Sequence, residues 1–264
     1  MTFQMQIDDE AHAHIFSRCA VKLTLFFGEI ELAFGSGVIA EDSAGPVLIT
    51  AAHNFTGHHP DTKSALANHG GLPNIVGVEG CRASFRENLY LGTNSPIEDI
   101  PRYATHPQST LDVAVLRLKS IGYFVNLLNV SSLDSQVPQV PLYVSQLCHI
   151  IGFPLGLEHR PANGILFPIW KTGHIASEPN SDFNGFPKLL VDATPRRGMS
   201  GALVVVKQNY RYRLVGIYTG RFKQPRGRSI EPAAADEIAD DFTAELGWVT
   251  KRDAFGTVIA AARQ

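Results

Sequence analysis

Asp192-Ala-Thr-Pro-Arg-Arg-Gly-Met-Ser-Gly-Ala-Leu-Val-Val-Val206 is the stretch on which the interpretation of the whole chain depends. Ser200 stands between Gly198 and Gly201, just before an apolar, β-branched run that predicts a strand. Glycines allow the backbone to turn tightly, so that amide N–H groups can converge beside the serine hydroxyl. Taken alone, this pattern fits an ordinary turn before a strand as well as it fits a nucleophilic serine.

Two upstream segments favour the interpretation of Ser200 as a nucleophile. Leu48-Ile-Thr-Ala-Ala-His53 places a histidine just after a predicted strand, and Leu111-Asp-Val-Ala-Val-Leu-Arg-Leu118 places Asp112 at the start of another. Singly, His53 fits a core or surface histidine and Asp112 an exposed carboxylate at a strand end. A buried carboxylate needs a hydrogen-bond partner, however, and an imidazole N–H is a suitable one. With Ser200 they supply the three residue types of a catalytic triad.

Composition narrows the class of protein. The 264 residues can bury a large core, and the formal net charge of −2 gives no indication of a nucleic-acid partner or of an anionic membrane surface. Short runs rich in Val, Ile and Phe, separated by plentiful Gly and Pro, predict a β-rich fold. In Phe34-Gly-Ser-Gly-Val-Ile39 the glycines indicate that another backbone or side chain approaches closely.

Two short helices are expected within this β-rich pattern. The small residues of Thr50-Ala-Ala-His53 favour one turn of helix that presents the imidazole inward. The apolar spacing over Lys251–Arg263 predicts a terminal helix. Its apolar face contains Phe255, Val258, Ile259 and Ala262.

The cysteines and the N-terminus predict a cytoplasmic protein. Cys19, Cys81 and Cys148 lack metal-ligand or disulfide-framework spacing, and each is expected to be a small buried apolar residue. Met1–His14 lacks the apolar core of a signal peptide, and no run is long enough to span a membrane. His58 and His59 would need further ligands to hold a metal, so neither a metal nor a cofactor is expected.

The sequence resembles the trypsin/chymotrypsin-like serine peptidase family, in which the histidine, aspartate and serine follow in this chain order. The matching segments are Thr50-Ala-Ala-His53, His106-Pro107 with Leu111-Asp-Val-Ala-Val-Leu116, Gly198-Met-Ser-Gly201, Leu214-Val-Gly-Ile-Tyr-Thr219, and Gly247-Trp-Val-Thr-Lys251 with the helix after it. The resemblance implies an all-β fold of two six-stranded antiparallel β-barrels with a C-terminal helix. The pattern is nearer to compact bacterial peptidases that lack disulfides.

This resemblance divides the chain into three regions. They are a polar N-terminal arm over residues 1–13, an N-terminal β-barrel over 14–130, and a C-terminal β-barrel with the terminal helix over 131–264. The N-terminal barrel carries His53 and Asp112, and the C-terminal barrel carries Ser200.

The resemblance also implies roles for individual residues. Ser200 would be the nucleophile, His53 the general base and Asp112 the group that orients the imidazole, with the backbone N–H groups of Gly198 and Ser200 forming the oxyanion hole. The implied substrate pocket consists of Thr194 at its base and of Thr219, Gly220, Arg221 and Gly247 along its walls.

Thr194 is not acidic, so a preference for Lys or Arg is not expected, and a modest apolar side chain would suit the pocket. Arg221 would favour an acidic side chain, block the mouth of the pocket, or remain a solvated loop residue.

Two departures from the family bear on activation. Met199 stands where the family has an aspartate, and Ala202 where it has a second glycine. An Ile-Val-Gly-Gly N-terminus is absent as well, so a switch in which a freed amine pairs with that aspartate cannot operate. The site is therefore either preformed or ordered by an activating or regulatory protein.

These observations leave three functions to compare. The first is a serine endopeptidase acting on proteins or peptides, without a nucleic-acid or membrane partner. The second is a catalytically silent protein- or peptide-binding module on the same fold, which would not need all three triad residues. The third is an anion-binding protein that uses Arg196-Arg197-Gly198, although no phosphate-loop pattern accompanies these residues.

Overall fold

In the residues that the structure describes, the two halves of the chain form two β-sheets, which confirms the all-β class. The computed structural model describes residues 14–60, 62–66, 71–81, 84–119, 128–129, 141–161, 165–193, 196–208, 211–222 and 245–262. The predicted N-terminal arm over 1–13 lies outside these ranges, as do most residues around the predicted boundary between 130 and 131 and residues 223–244. The domain boundaries therefore remain predictions.

The first sheet has eight strands and curls into a half-barrel. They are β1 (Ala20–Phe27), β2 (Ile30–Asp42), β3 (Gly45–Thr50), β4 (Ile75–Glu79), β5 (Ser84–Asn88), β6 (Tyr103–Thr105), β7 (Ala114–Arg117) and β8 (Leu128–Asn129). Their order is β5-β4-β1-β2-β3-β7-β6, and β8 pairs in parallel with β2. This half thus has more strands than the six expected, and one of its pairs is parallel. One reason is that the chain after Asn74 forms two strands, β4 and β5, on either side of Gly80.

The second sheet is the closed six-stranded antiparallel barrel that the resemblance implied. Its strands are β9 (Leu147–Gly152), β10 (Ile169–Ile175), β11 (Lys188–Asp192), β12 (Leu203–Gln208), β13 (Arg211–Arg221) and β14 (Leu246–Lys251). They follow the order β10-β11-β14-β13-β12-β9 around the barrel.

Strand β12 shows why the run after Ser200 is apolar on both faces. Val204 and Val206 point into the second barrel, where they join its internal apolar cluster. Leu203 and Val205 point outward into a second cluster that lies between the two sheets and under the terminal helix. Because both faces are buried, the strand lacks the alternation of a half-exposed strand. The serine loop therefore leads directly into the core.

Three α-helices accompany the sheets in the described residues: α1 (Ile15–Cys19), α2 (Ala52–Thr56) and α3 (Phe255–Ala261). Short 3₁₀ helices cover Pro154–Gly156 and Arg252–Ala254. Helix α3 buries Phe255, Val258 and Ile259, the face predicted from the sequence. Within the described part of the chain, every helix is too short or too polar to cross a membrane.

Helix α1 was not among the two short helices predicted from the sequence. The side chain of His14 caps this helix by accepting a hydrogen bond from the backbone N–H of Phe16. Phe16 and Cys19, three residues apart on one face, are buried. A cap followed by this spacing was the available sequence signal, but it covers only one turn.

All three cysteines are buried and carry free thiols, so their expected burial is confirmed. Burial raises the pKa of the Cys81 thiol to about 11 and that of Cys148 to about 12. Both therefore remain protonated at neutral pH.

Candidate active site

The pairing of β3 with β7 brings His53 and Asp112 together. Thr50, at the end of β3, lies opposite Ala114, at the start of β7. Because the two strands are antiparallel, the end of β3 lies beside the start of β7. The residues just after β3 and just before β7 are therefore close together. His53 Nδ1 lies 2.5 Å from Asp112 Oδ2, and the backbone N–H of His53 donates to Asp112 Oδ1 at 2.9 Å. Both carboxylate oxygens of Asp112 are therefore bonded to His53, one to its ring and the other to its backbone N–H.

The environment of this pair determines the state of the imidazole. Asp112 is 4% exposed, and the His53 side chain is 13% exposed. Burial by itself lowers the pKa of His53, but the charge and hydrogen bond of Asp112 outweigh it and raise the pKa above the ordinary 6.5. In the neutral ring Nδ1–H donates to Asp112, which leaves Nε2 as the acceptor.

The serine loop lies between β11 and β12 and is bonded to the first sheet. The carbonyl of Ser200 accepts hydrogen bonds from the backbone N–H of Ser36 at 2.8 Å and from Asn54 Nδ2 at 3.0 Å. Asn54 directly follows His53 in α2, so one short helix presents the imidazole and holds the serine loop. Ser200 Oγ has no hydrogen bond to His53 or to any other described residue. Such bonds are often long before substrate binds and shorten in the reacting complex.

The peptide before Gly198 has a fixed orientation. Its carbonyl, Arg197 O, accepts a hydrogen bond from the backbone N–H of Leu155 at 2.6 Å. Leu155 reaches this position with a φ of 55°, in the left-handed region where non-glycine residues are uncommon. Because C=O and N–H point in opposite directions across a trans peptide, the Gly198 N–H points away from Leu155. It donates to no described residue.

The peptide before Ser200 is arranged in the same way. Its carbonyl, Met199 O, accepts a hydrogen bond from the backbone N–H of Ala202 at 2.9 Å. The Ser200 N–H therefore points to the other side, and within the described ranges it too has no acceptor. The N–H groups of Gly198 and Ser200 thus both lack an acceptor among the described residues, and they belong to the serine itself and to the residue two positions before it.

Ser36 and Asn54 are site residues that were not predicted from the sequence. Ser36 Oγ donates to Gly198 O at 2.7 Å and accepts from the backbone N–H of Phe153 at 3.0 Å. The glycines around Ser36 were the available signal, and the close approach expected there is present. A Cβ on Gly35 would lie 2.6 Å from Asn54 Nδ2, so only glycine leaves room for the Asn54 side chain.

Gly201 is required by the same close packing of the two sheets. Its φ is +87°, and a Cβ there would lie 2.0 Å from Ser36 O and 2.3 Å from Thr50 Oγ1. We expect Gly201→Ala to lower the free energy of unfolding by about 2–5 kcal/mol, from backbone strain and overpacking together. Gly28→Ala is the matched control, with a φ of +59° and nothing within 4 Å of its Cβ.

The control should lose only about 1–2 kcal/mol, because backbone strain is its single cost. Urea unfolding of both variants measures the difference. Equal losses would contradict this account of Gly201.

Four of the five predicted pocket residues lie on the paired strands β13 and β14. Gly220 pairs with Trp248 and Arg221 with Gly247. Thr219 is buried and its Oγ1 donates to Trp248 O at 3.4 Å, whereas Arg221 is exposed. Thr194 lies outside the described residues. The role of these residues as a substrate pocket remains a prediction.

A cleft of about 550 Å³ opens beside His53 and Asp112. It is bounded by α2, by the loop after it and by the segment before Asp112. The polar side chains that line it include His58, His59, Lys63 and His106. In the described part of the chain, no group of three or more His, Cys, Asp or Glu residues is arranged to hold a metal ion.

Comparisons with known proteins agree with this fold. The chain resembles Rv3671c from Mycobacterium tuberculosis H37Rv, in the inactive form of its Ser343Ala mutant, with 15% identity, a TM-score of 0.51, and coverage of 94% of this chain and 88% of that one. It also resembles the protease Anisep from Arthrobacter nicotinovorans, with 10% identity, a TM-score of 0.54, and coverage of 93% and 95%. No curated protein matches the sequence significantly.

The sequence profile of the trypsin-like peptidase domain matches residues 35–217. This range covers more than half of the chain and includes His53, Asp112 and Ser200. The chain therefore belongs to the trypsin-like peptidase family and is a serine protease by family and by fold. The predicted family and the chymotrypsin-like fold class are both confirmed.

Proposed function

We propose that the chain is a serine endopeptidase that hydrolyses peptide bonds through His53, Asp112 and Ser200. The observation that carries the proposal is the 2.5 Å contact between His53 Nδ1 and Asp112 Oδ2, which leaves Nε2 as a proton acceptor. Asn54, the next residue, holds the carbonyl of Ser200 at 3.0 Å. One short helix thus carries the general base, His53, and holds the loop of the nucleophile through the next residue, Asn54.

The reaction then proceeds in two balanced halves. Ser200 Oγ attacks the scissile carbonyl while His53 Nε2 takes the hydroxyl proton. His53 gives that proton to the leaving amine, the C–N bond breaks, and an acyl-enzyme remains on Ser200. A water molecule next attacks the ester while His53 takes its proton, which returns to Ser200 Oγ as the acid product leaves.

The negative charge that develops on the substrate oxygen would be bound by the N–H groups of Gly198 and Ser200. A donor of this kind contributes about 2.7–4 kcal/mol to the transition state in comparable sites. The peptide orientations fixed by Leu155 and Ala202 support an oxyanion hole that exists before substrate binds.

Met199 supports a preformed site as well. Its side chain is 2% exposed and packs among apolar residues inside the second barrel. Apolar packing of Met199 thus anchors the serine loop in the second barrel. A charged residue buried at this position would instead require an ion partner. We propose that no freed N-terminus is needed for activity, and that the substrates are proteins or peptides.

The direct test is labelling by a fluorophosphonate, read as intact mass, on the wild type and on Ser200→Ala. One adduct on the wild type alone is expected, because the reagent needs both an activated serine and an oxyanion hole. Wild type that stays unlabelled would overturn the proposed function and favour the catalytically silent binding module. An adduct on Ser200→Ala would show that another residue is the nucleophile.

The pH dependence of kcat/KM provides an independent prediction. His53 must be neutral to accept a proton, and its pKa is raised above 6.5 by Asp112. Activity should therefore fall on acidification through a midpoint above 6.5, measured between about pH 5 and 9 with a neutral peptide. A midpoint well below 6.5 would contradict the coupling between His53 and Asp112.

A further inference from the structure

Tyr218 is bonded to both residues that follow the proposed nucleophile. Its carbonyl accepts a hydrogen bond from the backbone N–H of Gly201 at 2.7 Å, and its own N–H donates to Ala202 O at 2.8 Å. Its side chain is 3% exposed and belongs to the apolar cluster inside the second barrel, together with Ala193 and Met199. The ring is therefore held in the core directly beside the serine loop.

This ring fills the space between β13 and β14 at Gly247. A Cβ on Gly247 would lie 2.1 Å from Tyr218 Cε2 and 2.7 Å from Cζ. The ring thus packs against the bare backbone of Gly247. The space beside Gly247 is therefore occupied by the protein's own aromatic ring, whereas nothing lies within 4 Å of a Cβ on Gly220.

The hydroxyl of Tyr218 does not explain its presence. Tyr218 Oη is buried and has no hydrogen-bond partner in the described part of the chain. Burial raises the pKa of this phenol, which stays protonated at neutral pH. What Tyr218 contributes at this position is the volume of its ring.

We propose that the ring of Tyr218 limits the depth of the substrate pocket, so that the enzyme cleaves after residues with small side chains, namely Gly, Ala or Ser. The inference rests on the proposed function, since it concerns the substrate residue whose carbonyl Ser200 attacks. A Leu, Phe or Arg side chain at that residue would have to displace a ring packed in the barrel core, and close-packed interiors resist such changes.

The test is a set of peptides that differ only at the residue whose carbonyl is attacked, with Gly, Ala, Ser, Leu or Phe at that position. For the wild type, kcat/KM for Ala should exceed that for Phe by about 100-fold. Tyr218→Ala should raise kcat/KM for Leu and Phe by at least about 10-fold over wild type. A gain of activity cannot result from misfolding.

Tyr218→Phe is the matched control, because it keeps the ring and removes only the hydroxyl. It should retain the preference of the wild type for small residues. A second variant pair tests the contact itself: Gly247→Ala should lower the melting temperature of the wild type, but much less in the Tyr218→Ala background.

Three results would overturn the inference. They are a wild type that cleaves well after Leu or Phe, a Tyr218→Ala variant with unchanged preference, and a Tyr218→Phe variant that accepts large residues. Fluorophosphonate labelling, which involves no peptide side chain, separates these results from failure of the proposed function. A labelled wild type with the wrong preference refutes only the role of Tyr218.

Discussion

Ser200→Ala should lower kcat for peptide hydrolysis by about 10⁶-fold. The variant removes the only atom that forms the acyl-enzyme, whereas the N–H donors of Gly198 and Ser200 belong to the backbone and remain. Substrate binding should therefore persist, and the residual rate should come from binding and the oxyanion hole alone. The preparation should be treated with a fluorophosphonate before the assay, because this reagent inactivates trace serine-protease contaminants and leaves Ser200→Ala unmodified.

Ser43→Ala is the control for this substitution. Ser43 is an exposed serine in the turn between β2 and β3, so its loss should leave kcat unchanged. Near-full activity in pure Ser200→Ala would show that Ser200 is not the nucleophile.

Asp112→Asn should lower kcat by about 10⁴-fold at neutral pH, while the fold stays intact. An asparagine of the same shape presents an NH₂ group that favours the imidazole tautomer with its proton on Nε2. That nitrogen then cannot accept the proton of Ser200. Removal of the carboxylate charge also removes the effect that raises the pKa of His53, so any residual activity should extend to lower pH.

Asp99→Asn is a suitable control, because Asp99 is another carboxylate that accepts hydrogen bonds from nearby residues. Its partners are the backbone N–H of Ser95 and Thr93 Oγ1, in a loop of the first sheet away from the serine loop. It should leave kcat and the pH profile unchanged. A loss of less than about 10-fold in Asp112→Asn would contradict the role proposed for Asp112.

These two effects depend on residues that the sequence alone was able to indicate. The patterns that indicated them are local: a glycine-flanked serine before an apolar run, a histidine after one strand and a carboxylate before another. Each can be recognised within its own short segment of the sequence. The family resemblance carried by these motifs also implied the second barrel, and the apolar spacing near the C-terminus predicted the buried face of α3. The N-terminal half was predicted less well, because its short strands and the single turn of α1 give weak periodic signals.

Other parts of the site were decided only by tertiary structure. Asn54 and Ser36 hold the serine loop across the two sheets, with Gly35 and Gly201 leaving the space, and no local pattern specifies such partners. Tyr218 looked like one more apolar strand residue until the barrel placed its ring against Gly247. Propensity and periodicity act over a few neighbouring residues, and they determine which segments become strands and where a reactive side chain can stand. The packing of distant segments determines which side chains meet across the sheets. In this protein, that packing determines which residues hold the serine loop and how much space we expect to remain for the substrate.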